Sequence, residues 1–115
     1  EKPMIFFGDN FKTVRGPGAK DCVSFKESPK VEIFRKLFKN WKEGNRAMPW
    51  REVATDAGFT TGMDESPRKR LISNRGNPER AEIVERLISA IICERPIEGG
   101  YTVELSSSFT YFADT

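Results

Sequence analysis

The sequence contains no histidine. That removes the commonest general base, and with it Ser-His-Asp triads, Cys-His dyads and HExxH zinc sites. Cysteine is nearly as scarce, with only Cys22 and Cys93, too few to hold a four-ligand zinc unaided. Each sits beside apolar residues and reads as a buried, reduced thiol, with a disulfide or redox role as the alternative; an intracellular chain is the natural reading, and a cytoplasmic location is expected. No apolar run approaches the roughly 18 residues of a membrane span and no signal peptide is visible, so no membrane partner is expected. A large excess of one charge is also missing. The 19 Lys and Arg stand against 17 Asp and Glu, and a net charge of +2 falls well short of a non-specific nucleic-acid coat or a polybasic membrane binder.

What remains is 115 residues, 37% of them hydrophobic, which is the size of one domain with a single modest core. The chain opens on Glu1, which reads as an excised domain or a processed chain with an upstream targeting or sensor segment out of view. Enzyme chemistry finds little footing. Glu82 and Glu85 lie three apart and Asp64 and Glu65 are adjacent, but neither pair has a partner base or a metal cluster, and helix surfaces are full of such pairs. No catalytic residue, cofactor or metal site is therefore expected.

The first quarter is punctuated like a small antiparallel sheet. Strands are expected at 4–7, 11–14 and 22–25, with Gly8-Asp9-Asn10 and Arg15-Gly16-Pro17-Gly18 as turns. The second turn lacks the Gly-Lys-Ser/Thr ending of a phosphate loop and leads into Ala19-Lys20-Asp21, so it reads as a hairpin turn. After Ser28 and Pro29 the period changes. Phe34, Leu37, Phe38 and Trp41 fall on one helical stripe, with Ser28 as its cap, Arg35, Lys36, Lys39 and Lys42 facing away, and Gly44-Asn45 as a left-handed stop. A short helix opens at Pro49, turns Trp50, Val53, Ala54 and Ala57 inward and closes at Gly58. Another runs from Ser66-Pro67 through Arg75 to Gly76. The last and longest begins at Asn77-Pro78, with Ala81, Val84, Leu87, Ile88 and Ile91 on one face and Arg80, Glu82, Glu85, Arg86 and Ser89 on the other. Near Ile91 or Ile92 the chain turns into a strand, Pro96 to Gly100 is a tight turn with Gly99-Gly100 at its tip, and 101–105 is the returning arm. The predicted fold is α+β: a sheet at 1–27, a helical core of three to four helices at 28–91, a hairpin at 92–105 and an extension at 106–115.

The residues Phe34, Leu37 and Phe38, the segment 49–58, the set Val84, Arg86, Leu87 and Ile91, and the hairpin arm Gly100-Tyr101-Thr102-Val103 occur in an order that resembles winged helix-turn-helix effector domains of the OmpR/PhoB type. The resemblance covers about 4–105. It implies an N-terminal antiparallel sheet, a helix-turn-helix core, a C-terminal wing and binding to double-stranded DNA in transcription regulation. Two features depart from that pattern. The wing tip Ile97-Glu98-Gly99-Gly100 is acidic where family members commonly carry a basic residue, and the 66–76 helix stands where they usually have a loop.

Charge follows the same division. The stretch 31–52 holds six basic and three acidic residues, but 78–95 holds three basic and four acidic. A groove-reading helix needs cations near the phosphates. The supply expected is Arg68, Lys69, Arg70 and Arg75 beside the last helix, with Arg80, Arg86 and Ser89 reaching base edges and Thr60 and Thr61 touching phosphate oxygens. The alternative is a winged-helix domain turned to protein interaction, as a homodimer or with an upstream regulatory domain. In that case the acidic wing and the aromatic tail of Phe109, Tyr111 and Phe112 meet the partner.

Overall fold

Alternating inward apolar residues build the first sheet: Ile5 and Phe7 in β1 (Met4–Gly8), Val14 in β2 (Thr13–Arg15) and Val23 in β3 (Cys22–Ser24) are all buried. The computed structural model describes residues 1–26, 29–73 and 78–114, with the backbone alone at 78 and 79. β1 pairs antiparallel with β2, and β2 with β3. The turn after β2 is the expected one: the Gly16 amide donates to the Asp21 carbonyl at 2.6 Å, and the Asp21 amide to the Gly18 carbonyl at 3.0 Å.

Three features of this sheet differ from expectation. The second strand starts at Thr13, not at residue 11, because Asp9, Asn10 and Phe11 all take left-handed backbone (φ 50°, 56° and 71°) and extend the turn. Phe11 nonetheless buries its ring, 5.6 Å from that of Phe7 and 5.7 Å from that of Phe38. The segment 106–115 is no appendage. Its residues Thr110–Ala113 form β7, which pairs parallel with β1, Met4 beside Thr110 and Phe7 beside Ala113, so the sheet is mixed and four-stranded in the order β3-β2-β1-β7. Cys22 is exposed and Cys93 half-buried, both as free thiols, since Cys22 alternates with the inward Val23 and so faces out.

α1 (Pro29–Lys42) begins with proline at its first position and ends at Gly44 and Asn45, whose φ angles of 120° and 54° make the left-handed stop. Its expected cap Ser28 lies outside the described residues. The helix buries Val31, Ile33, Phe34 and Leu37, because it packs on the first sheet through Phe34 and Phe7 (5.9 Å) and on other elements at its opposite flank. Phe38 and Trp41, expected in the core, are half-buried and line its rim, where Trp41 meets Tyr111 edge-on at 5.3 Å.

The two residues of β4 (Met48–Pro49), which lead straight into α2 (Trp50–Ala57), were not foreseen as a strand. α2 buries Trp50, Val53, Ala54 and Ala57 and stops at Gly58 (φ 104°), whose amide reaches the Ala54 and Thr55 carbonyls. α3 (Pro67–Ile72) ends sooner than the expected Arg75, and 74–77 lie outside the described residues, including the expected stop at Gly76 and the Asn77 that precedes the next helix. α4 (Pro78–Ile91) buries Val84, Leu87, Ile88 and Ile91 and exposes Arg80, Glu82, Glu85, Arg86 and Ser89, the phase read from the sequence; Ala81 is half-buried.

α4 passes without a break into β5 (Ile92–Ile97), which pairs antiparallel with β6 (Gly100–Leu105). The tip is one residue earlier than expected: Ile97 faces Gly100, leaving Glu98-Gly99 as a two-residue turn with Gly99 at φ 84°. β4 pairs with the other edge of β6, so the second sheet has the order β4-β6-β5. The described residues thus form an α+β fold of four helices and two sheets around one continuous apolar cluster.

Candidate nucleic-acid interface

The outward face of α4 carries charges of both signs, and its arginines have partners. Arg80 Nη2 donates to the Ser24 carbonyl at 2.8 Å, which ties α4 to β3, and Arg86 forms an ion pair with Asp21 in the β2–β3 turn. Both side chains remain exposed. Arg86 and Ser89 are three apart and therefore neighbours on the surface; Glu82 and Glu85 share that face. Sequence spacing put Arg86 and Ser89 on one face, while Arg80 lies half a turn round from Ser89 and turns to β3; it gave no sign of Asp21, 65 residues from Arg86.

The basic run of α3 divides three ways. Arg68 turns inward: Nε donates to the Ile92 carbonyl at 2.8 Å, and its backbone amide donates to Glu94 Oε1 at 2.8 Å. Lys69 is exposed, with its amide 3.4 Å from the capping Ser66 Oγ. Arg70 lies over the Phe59 ring, 4.8 Å from its centroid, and Nη2 reaches the Thr61 carbonyl at 3.4 Å. Arg75 falls outside the described residues. Thr60 and Thr61 are exposed in the segment that follows α2, beside Arg70.

Glu94 was missed as a functional group of the fold. Ser66 Oγ lies 2.7 and 2.8 Å from its two carboxylate oxygens, so one carboxylate from β5 and one hydroxyl together satisfy the first amides of α3. Lys30 was missed too. Its Nζ donates to the Ser73 carbonyl at the end of α3, and partial burial, then the neighbouring Arg70, hold its pKa below the ordinary lysine value. Nothing local in the sequence announces either residue, since both act across the chain.

Among the described residues no group of three or more Cys, Asp or Glu is placed to hold a metal ion, and no helix is long and apolar enough to cross a membrane. The outer face of the first sheet shows Met4, Phe6 and Phe112, which are 60%, 42% and 46% exposed; Phe6 and Phe112 are direct neighbours across the β1–β7 pair. Tyr111, by contrast, is buried, with its hydroxyl donating to the Ser106 carbonyl at 2.7 Å, so of the aromatic tail it is withdrawn from any partner. Comparison of the chain with protein-family models, with curated proteins and with solved structures finds no match.

Proposed function

We propose that this chain is a winged-helix module that binds double-stranded DNA in transcriptional regulation, with α4 entering the major groove and the β5–β6 hairpin as its wing, in the cytoplasm. The observation that carries this reading is the second sheet. A short strand between α1 and α2 pairs with the returning hairpin arm, and α4 continues directly into the other arm, so helix and hairpin form one unit beside a helical core. The likeness to the OmpR/PhoB type rested on the order of sheet, helices and hairpin; the strand at Met48–Pro49 is an addition to it.

The internal partners of the α4 arginines do not stand in the way of groove binding. An exposed ion pair such as Arg86 with Asp21 is worth about 0–1 kcal/mol. A bidentate contact from arginine to guanine supplies roughly 1–3 kcal/mol of discrimination, enough to outbid it. Glu82 and Glu85 on the same face are suited to accept from cytosine amino groups. Lys69, exposed on α3, supplies a phosphate contact, with Thr60 and Thr61, exposed beside Arg70, as hydroxyl donors.

The mixed sign of the α4 face, together with the exposed Met4, Phe6 and Phe112, favours a second reading, a protein-interaction or dimerisation module. One salt-titrated assay against a pool of random duplexes separates the two. Under the DNA reading the folded chain binds at low salt, Lys69→Ala weakens all duplexes alike and lowers the salt slope by about one, and Arg86→Ala costs roughly 1–3 kcal/mol chiefly at one base pair. A folded chain that binds no duplex at low salt, and that self-associates in sedimentation, establishes the second reading instead.

A further inference from the structure

Three elements converge on a cavity of about 240 Å³: the opening turn of α1 with Pro29 and Lys30, the segment Gly58, Phe59 and Thr60 after α2, and Arg70 of α3. Among the described residues its lining holds two cations and no carboxylate. A phosphoryl group with waters fits that space, a water's share of the liquid being about 30 Å³. Neither cation is ion-paired among the described residues. Lys30 Nζ has a backbone carbonyl for its partner, and among the described residues the Arg70 guanidinium makes one hydrogen bond, the 3.4 Å one from Nη2 to the Thr61 carbonyl.

The guanidinium is held by packing instead of by an acid. The Phe59 ring lies against it, and Trp50 meets that ring edge-on at 5.9 Å. Gly62, at φ 76°, brings bare backbone so close that a Cβ there would stand 2.6 Å from Arg70 Nε, and this buried Nε has no acceptor among the described residues. Glu65 also approaches Gly62, its Oε2 3.2 Å from the same Cβ position and so within about 6 Å of Arg70 Nε, but among the described residues it is not ion-paired with Arg70. Partial burial first, and then the like charge of Arg70, raise the energy of the Lys30 ammonium and lower its pKa, and an anion between the two cations reverses the sign of their interaction.

We infer that Lys30 and Arg70, with the Thr60 hydroxyl beside them, form a binding site for a phosphoryl oxyanion. Arginine offers the planar fork and lysine the point charge that phosphate recognition uses, and Thr60 supplies a neutral donor. The phosphoryl group has two sources, a nucleic-acid backbone or free phosphate, so the site does not depend on α4 entering a groove.

The test uses the full chain labelled with 15N, titrated with inorganic phosphate against chloride at equal ionic strength, for the wild type, Lys30→Met and Arg70→Gln. Saturable shifts confined to the amides of Lys30, Gly58, Phe59 and Thr60, lost in both well-dispersed variants, establish the site. Salt-titrated duplex binding of the same three proteins names the source: a slope reduced by about one in each variant assigns the nucleic-acid backbone, and an unchanged slope or no duplex binding assigns free phosphate. A wild type with no localised phosphate shift and a duplex slope that neither substitution alters overturns the inference, even where duplex binding itself stands.

Discussion

Replacing Glu94 by alanine tests whether the acidic hairpin serves to hold α3 in place. The carboxylate accepts from the Arg68 amide at 2.8 Å and from the Ser66 hydroxyl, while Ser66 Oγ accepts from the Lys69 amide. A hydrogen bond to a charged group is worth about 1.5–3 kcal/mol, and the half-buried position argues for the lower end. The hydroxyl bond adds less, because Ser66 can turn to water. Glu94→Ala is therefore expected to lose about 2–3 kcal/mol, and Glu94→Gln, which keeps one acceptor without charge, about 1 kcal/mol. Urea denaturation followed by circular dichroism reads this as a lower midpoint at unchanged slope, and thermal unfolding as a shift of roughly 4 °C per kcal/mol. In the Ser66→Ala background the Glu94→Ala loss should shrink by about 1 kcal/mol, since the two groups share one network. A Glu94→Ala protein within about 0.5 kcal/mol of wild type, or full additivity with Ser66→Ala, refutes the cap.

The phase of α4 predicts that Leu87→Ala loses about 2–5 kcal/mol, since its side chain is buried against the Gly16 turn, while Ser89→Ala on the outer face stays within about 0.5 kcal/mol; urea midpoints compare them. For Tyr111, burial first and then Cys93 push the phenol pKa above its ordinary value, against the opposing Ser106 hydrogen bond. The folded state therefore keeps a proton that the unfolded state releases near pH 10, so this stability is fully present below about pH 10 and lost as pH rises, by at most about 1.4 kcal/mol per unit. The difference between wild type and Tyr111→Phe in denaturation curves from pH 8 to 11 should be flat at first and then narrow or invert above 10; a constant difference refutes the shift.

Most of the local structure was legible because its causes are local. Pro29 and Pro67 opened helices, Gly58 and Gly44-Asn45 closed them, and the stripes through Phe34, Leu37, Val84, Leu87 and Ile91 gave their buried faces. Errors arose where partners lie far along the chain. Met48–Pro49 is too short to show alternation and is a strand only because β6 offers it an edge. Thr110–Ala113 reads as a loose tail until β1 is set beside it. At the hairpin tip, two glycines left the register open by one residue, and the pairing of Ile97 with Gly100 decided it. The site divides in the same way. Spacing grouped Arg86 and Ser89 on one helical face, whereas Arg80 lies half a turn round from Ser89, in line with the buried Val84, Leu87 and Ile91, and reaches β3; composition alone could not distinguish the inward Arg68 from the exposed Lys69 or the stacked Arg70, because their next-door positions end in three different environments. The acidic wing looked adverse to DNA; in Glu94 part of that charge is committed to the fold.

The parallel pairing of β1 with β7 has a mechanical consequence. Tension entering through the backbone before Met4 and leaving after Ala113 pulls two adjacent strands in opposite directions along their own axes. The bonds that join them, from the Thr110 amide at the Pro3 carbonyl to the Asp114 amide at the Phe7 carbonyl, are then loaded together in shear. An antiparallel closing strand gripped at the same two points would present its bonds one at a time and peel. The first sheet therefore acts as a clamp against stretching, and the rate at which a pulled chain gives way is set by this short strand pair before any helix bears the load.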